Sequence, residues 1–146
     1  TYAWGQGEGE AFSGGSYAVN SWATNPPDDL ASGDPANFWR TPDVRGGANI
    51  PLFMDSKWLD GWPGEHDQPP VPTDDYINSS MARYCMDRHQ GGTNAIFLDY
   101  SVRKIGCKEL WTFKWHRNFN TAGEWTTAGG VLPADWPEWM QGLKDY

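Results

Sequence analysis

The sequence is poor in positive charge, in cysteine and in long apolar runs, and each shortage excludes something. Its 146 residues carry 11 Lys and Arg against 19 Asp and Glu, a net charge of −8. A nucleic-acid binder needs a basic face to displace counterions from phosphate, so no nucleic-acid partner is expected. Docking on anionic lipid is disfavoured for the same reason. No apolar stretch approaches the roughly 18 residues of a bilayer span, and mean hydropathy is −0.70. No basic-then-apolar leader opens the sequence, so a signal peptide is not expected within these residues. The first residues, 1–9, carry no methionine, cap or amphipathic period and read like the middle of a longer chain. Only two cysteines are present, Cys85 and Cys107. With no C-x-x-C spacing, a zinc knuckle or thioredoxin-like site is excluded. A disulfide between them would close a loop of about 20 residues, and two buried reduced thiols fit the spacing equally well.

The chain does hold ten Trp, 17 Gly and 11 Pro. That combination describes a folded, loop-rich, acidic single domain over 1–146. Residues 1–47 read as loop-rich, 48–105 as the sheet core and 108–146 as a helical C-terminal part. Short extended pieces are expected at 16–23 and 37–40, and a strand at 48–55, with Pro51 at an edge or a bulge. Residues 60–75 hold Asp60-Gly61, Pro63-Gly64 and Pro69-Pro70 and read as an excursion rather than an element. Residues 80–88 fit helix and strand equally well. Residues 93–98 and 102–105 flank Asp99, Tyr100 and Ser101, which predicts a hairpin. Trp111, Trp115 and Phe119 recur with helical spacing and predict a helix over 108–119. Asp135 as N-cap, Glu138 three residues on and Pro137 in the first turn predict a second, whose stripe is Trp136, Trp139, Met140 and Leu143.

Few patterns carry chemistry. Residues 5–10 (GQGEGE) lack a following helix and would repel phosphate, so they read as a flexible turn. No nucleophile elbow, H-E-x-x-H or P-loop is present. Asp55, Asp60, Glu65, His66, Asp67, Asp74 and Asp75 crowd one loop-rich segment. Of these, Asp55, Asp60, His66 and Asp67 are the candidate metal ligands, for Ca²⁺ in an oxygen-rich loop, against a solvated acidic loop. A metal-dependent hydrolase would instead bring His66 together with His89 and an Asp around an open position. Asn78-Ser79-Ser80 is a glycosylation sequon. Exposed Trp would favour a carbohydrate-binding module with a surface polysaccharide as partner, but at least five Trp (58, 111, 115, 136 and 139) sit at core-like positions.

One segment is more specific. Residues 88–99 (RHQGGTNAIFLD) place nine residues between His89 and Asp99. This resembles the H-X9-DG motif of bacterial pseudopilin-like proteins that begin with a prepilin-type cleavage and methylation segment. Residues 1–5 (TYAWG), 16–22 (SYAVNSW), 39–43 (WRTPD), 49–55 (NIPLFMD), 60–63 (DGWP), 108–117 (KELWTFKWHR) and 134–139 (ADWPEW) resemble the same group, so the resemblance spans nearly the whole chain. It implies an α+β fold with a type IV pilin-like antiparallel sheet that normally receives a long N-terminal helix. No such helix is expected within these residues, so the face it would fill is expected to be covered by the C-terminal helices or a neighbouring subunit. It further implies a non-enzymatic, extracellular or cell-surface subunit whose partners are copies of itself or other pilin-like chains, with no required cofactor. A Cys85–Cys107 disulfide and a loop-bound Ca²⁺ are the expected stabilisers. His89 and Asp99 are expected to tie the ends of a strand, and Gly91 and Gly92 to allow its sharp entry. An extended span of about 30 Å keeps His89 and Asp99 from meeting as a catalytic pair. Tyr100 replaces the motif's Gly, at a cost of about 1 kcal/mol in a tight turn, so a longer or different turn with Tyr100 packed across it is expected.

Overall fold

A computed structural model describes residues 2–4, 13–15, 17–27, 29, 33–71 and 79–146. The turn expected at 5–10 and the sequon residue Asn78 lie outside the described residues. Strands β1 (Tyr2–Trp4) and β2 (Ser13–Gly15) form a two-stranded antiparallel sheet. The main sheet has five strands: β3 (Tyr17–Asn20), β4 (Pro51–Asp55), β5 (Asp60–Gly61), β6 (Gly92–Phe97) and β7 (Val102–Gly106). Their order is β5-β3-β4-β6-β7. Helix α1 (Ser80–Tyr84) precedes β6, and α2 (Glu138–Gln141) lies near the end. A small α+β fold results.

The sheet is mixed rather than antiparallel, because β5 runs parallel to β3. That pairing depends on the excursion after β4 folding back on the sheet, where the Val19 N–H donates to the Leu59 carbonyl (3.3 Å). Pro51 is not at an edge. Strand β4 lies between β3 and β6, and its register shifts between Pro51 and Phe53. A proline at the first residue of a strand, beside a bulge, withholds no ladder hydrogen bond that the sheet needs.

The β6–β7 hairpin forms as expected, with Ile96 opposite Val102 and Thr93 opposite Ile105. The turn itself corrects the expectation. The Tyr100 N–H donates to the Phe97 carbonyl (2.9 Å), and the Phe97 N–H donates to the Ser101 carbonyl (2.9 Å). This is a three-residue loop closed by a bulge whose left-handed position usually takes Gly. Tyr100 occupies it with φ 65°, and its side chain is 71% exposed instead of packing across the turn.

The predicted helix over 108–119 is also corrected. A 3-10 turn covers Lys108–Thr112, and Phe113 is already extended (ψ 151°). Beyond it the Lys114 N–H donates to the Asn49 carbonyl (2.9 Å) and the Arg117 N–H to the Asn37 carbonyl (3.1 Å). Contacts distant in sequence replace the i→i−4 ladder, yet Trp111, Trp115 and Phe119 are all buried. The last helix is shorter than expected and is not capped by Asp135. Pro137 holds Trp136 extended (ψ 149°), which splits the segment into a 3-10 turn (Pro133–Asp135) and α2. Asp135 accepts from the Leu132 N–H (2.7 Å).

Side chains of this irregular C-terminal part fill one face of the sheet. Phe97 meets Phe113 edge-on (5.2 Å between centroids), and Trp111 meets Trp136 (5.4 Å). Indole N–H groups satisfy carbonyls of loops and of the 3-10 turn: Trp22 donates to Pro63, Trp39 and Trp111 to Trp115 and Asp67, Trp115 to Leu110 and Trp139 to Pro70, all at 2.7–3.1 Å. A buried loop backbone must be satisfied in some such way.

Candidate functional site

The opposite, outer face of the sheet carries exposed and half-buried apolar side chains. Val19 lies opposite Phe53, Phe53 opposite Ile96, and Ile96 opposite Val102. Directly opposed residues point to one side of a sheet, so these four make a single apolar row across four strands. Val102 is 67% exposed and Phe53 39%, and Tyr17, 53% exposed, stacks on Phe53 (5.7 Å).

An ionic cluster closes one end of this face. Asp55, two residues beyond Phe53 and opposite Tyr17, is only 1% exposed. It accepts hydrogen bonds from the Asn94 N–H (2.8 Å), Arg88 Nη1 (3.1 Å) and His89 Nε2 (3.1 Å). His89 therefore ties the entry of β6 to the end of β4, and Asp99 acts elsewhere. At the hairpin tip Asp99 Oδ1 accepts from the Ser101 N–H (3.0 Å) and Oγ (2.7 Å), which holds its carboxyl below the usual range.

The backbone between His89 and β6 is a tight loop. The Arg88 and His89 N–H groups both donate to the Gly92 carbonyl (3.2 and 2.9 Å). Gln90 and Gly91 have φ of 55° and 79°. A Cβ on Gly92 would overlap the Ile105 carbonyl of the neighbouring strand. The two glycines thus allow the sharp entry expected of them.

The expected metal ligands do not converge. Asp55 is enclosed as described. Asp60 pairs with Arg83 (3.4 Å) and accepts from Ser21 Oγ (3.3 Å). His66 is exposed beside Glu124 (3.6 Å). Asp67 accepts the Gly64 and Met81 N–H groups (3.3 and 2.8 Å), and burial nonetheless raises its carboxyl above the usual range. Each acid has its own local partners, and no group of three metal-ligating side chains forms among the described residues. His66 and His89 likewise do not gather round a shared position. Asp74 and Asp75 lie outside the described residues.

Two surface hollows, about 340 Å³ beside Gly91, Lys104 and Tyr146 and about 490 Å³ beside Val71 and Trp139, contain no acid–base pair of the kind a hydrolase needs. No tryptophan among the described side chains is exposed. His116 is 6% exposed, with Nε2 3.3 Å from Glu65 Oε2, and its ring lies against Trp22 and Phe119. Burial holds its pKa below the ordinary value, opposed by Glu65. Cys85 and Cys107 are buried free thiols, not joined in this structure.

Several of these partners were not foreseeable from spacing. Arg88 stands next to the motif histidine, but nothing in the sequence marks Asp55, 34 residues earlier, as their common acceptor. Lys108 is buried against Asp145 (2.7 Å) and the Trp136 ring, at the first residue of the segment predicted as a helix.

No family model matches this chain, and no curated protein or solved structure matches it. None of the helices in the described residues is long and apolar enough to cross a membrane.

Proposed function

We propose that the chain is a structural subunit of an extracellular filament or pseudopilus, pilin-like in architecture, working through packing against copies of itself or related subunits. The observation that carries this reading is the apolar row Val19–Phe53–Ile96–Val102 with Tyr17 beside it. The C-terminal segment already fills one face of the sheet, and this row leaves the other available for a partner. An exposed contiguous apolar strip is characteristic of an interaction surface. The motif residues support a scaffold role: His89 closes Asp55, and Gly91 and Gly92 shape the approach to β6. The hydrogen-bonded acids, and described tryptophans that are all buried or half-buried, favour this reading over a sugar platform or a hydrolase.

Electron microscopy of cell-surface filaments from the native source tests it, with antibody labelling against this chain. Regular labelling along filaments is expected, as is loss of filaments on replacing Phe53 with Glu while the chain remains folded. Filaments that never carry the chain, or that persist unchanged in that variant, would refute the proposal.

A further inference from the structure

Strand β7 is an edge of the main sheet, paired with β6 on one side. The Ser101 carbonyl accepts from the Phe97 N–H and the Cys107 N–H donates to the Gly91 carbonyl. In this register the odd-numbered residues of β7 carry the ladder, and the even-numbered ones turn their backbone groups outward. The Gly106 N–H is taken by Glu109 Oε2 (3.0 Å). The N–H and carbonyl groups of Val102 and Lys104 have no partner among the described residues. An edge open in this way is a template for a further strand.

Three side chains of the same edge are also unused by the fold. Val102 is exposed. Lys104 Nζ donates to the Gln90 carbonyl (3.2 Å), and Lys144 lies over the Tyr146 ring (4.3 Å); both line the hollow of about 340 Å³ at the Gly106 end. Neither lysine has an acidic partner among the described residues, whereas Arg103 is paired with Glu109 (2.9 Å). Tyr100 begins the edge, in a left-handed conformation with its ring in solvent. Arg40 has a similar φ of 60°, but its side chain reaches the Pro26 and Pro35 carbonyls (both 3.5 Å) and the Phe38 ring. The Tyr100 ring makes no hydrogen bond or ring contact among the described residues. A strained residue whose ring serves nothing in its own chain marks a contact with something else.

We infer that the β7 edge from Tyr100 to Lys104 is a docking surface for an extended acidic segment of a partner protein, which adds antiparallel to β7 as a sixth strand. Main-chain hydrogen bonds at Val102 and Lys104 supply the attachment, and alternate side chains supply the choice of partner. An acid stands opposite Lys104, an apolar residue opposite Val102, and a second apolar residue meets the Tyr100 ring. Charge selects this occupant over a second copy of β7. Outward-facing residues pair with one another, so two β7 edges would set Lys104 directly against Lys104 of the other copy, and like charges so placed repel. An acidic segment meets instead the two unpaired lysines of a chain whose net charge is −8.

The probe is the synthetic peptide acetyl-TETVTLT-amide, with acetyl-TKTVTLT-amide as its charge-reversed control, titrated into the full ¹⁵N-labelled chain and followed by amide resonances. The acidic peptide is expected to shift the Val102 and Lys104 amides, slow their hydrogen exchange and bind about threefold to fivefold more tightly than the control. Tyr100→Gly is expected to weaken binding at least about fivefold while the fold is retained, a split that a merely structural tyrosine would not give. Val102→Pro removes an outward N–H and no ladder bond, and should abolish binding. Lys104→Glu, a surface change, should reverse the preference between the two peptides. Phe53→Glu, on the outer face used in filament packing, should leave affinity within about twofold, so that the edge and the face fail separately. Unmoved Val102 and Lys104 amides, equal binding of both peptides, or a Tyr100→Gly chain that binds like the wild type would overturn the inference. Protection of the edge that grows with protein concentration and needs no peptide would place a second copy there and overturn the choice of partner.

Discussion

Replacing Tyr100 with Gly is expected to stabilise the protein. Tyr100 holds φ 65°, a conformation that costs an L-residue about 1–2 kcal/mol. The geometry is imposed by two hydrogen bonds, Tyr100 N–H to the Phe97 carbonyl and Phe97 N–H to the Ser101 carbonyl, both 2.9 Å. The ring is 71% exposed, so its removal sacrifices little burial. Glycine relieves the strain but loses about 0.5–1 kcal/mol more conformational freedom on folding. The net gain is about 0.5–1 kcal/mol, a rise of roughly 1–4 °C in Tm for a chain of this size. Thermal unfolding followed by circular dichroism measures it, with Tyr100→Ala as the control that removes the ring but keeps a Cβ. Tyr100→Gly should melt above the wild type and above Tyr100→Ala. If the Gly and Ala variants melt together, the backbone conformation is not the source of strain and the reasoning fails.

Gly92→Ala should destabilise by about 1–3 kcal/mol in urea titration, because the new methyl overlaps the Ile105 carbonyl and the hairpin must spread; an unchanged midpoint would mean that β7 shifts freely. Asp55→Asn should cost about 3 kcal/mol, since it removes the buried negative charge that Arg88 and His89 share, and backbone amide exchange near residues 88–94 should accelerate. Acid should weaken the fold through His116. Its folded pKa lies below 6.5, so the unfolded chain takes the proton first, and this contribution to stability is complete above the unfolded value and lost as pH falls through 6.5 toward the folded value. A His116→Phe variant should flatten that limb of a stability–pH curve, and an unaltered slope would exclude His116 as its source.

The hairpin was legible because both its strands and its turn are local in sequence. The burial of Trp111, Trp115, Phe119, Trp136 and Met140 was legible too, because apolar spacing records which residues face inward. Spacing does not record what path the backbone takes between them. Beyond the 3-10 turn that ends at Thr112, the Lys114 and Arg117 N–H groups donate to the Asn49 and Asn37 carbonyls, and the helix does not continue. The parallel β5–β3 pairing rests on a contact that returns from beyond β4, which residues 60 and 61 do not advertise. The acidic cluster misled for a related reason: proximity in sequence brought Asp55, Asp60, His66 and Asp67 together on paper, whereas Arg88, Arg83, Glu124 and the Met81 N–H separate them in space. His89 was read as tying a strand end to a loop, whereas its acceptor, Asp55, lies on another strand and has no signature of its own.

The five indoles that donate to backbone carbonyls have a consequence for how this chain can change over generations. At Trp22, Trp111, Trp115 and Trp139 a phenylalanine or leucine would fill most of the same volume yet strand an oxygen beneath the surface, whereas the carbonyl that Trp39 reaches also accepts from Asn20 Nδ2 (3.0 Å). Drift toward cheaper apolar residues is thereby blocked at the first four. Insertions and deletions are confined to the intervals between these anchor points, where length can vary without releasing a carbonyl from its donor.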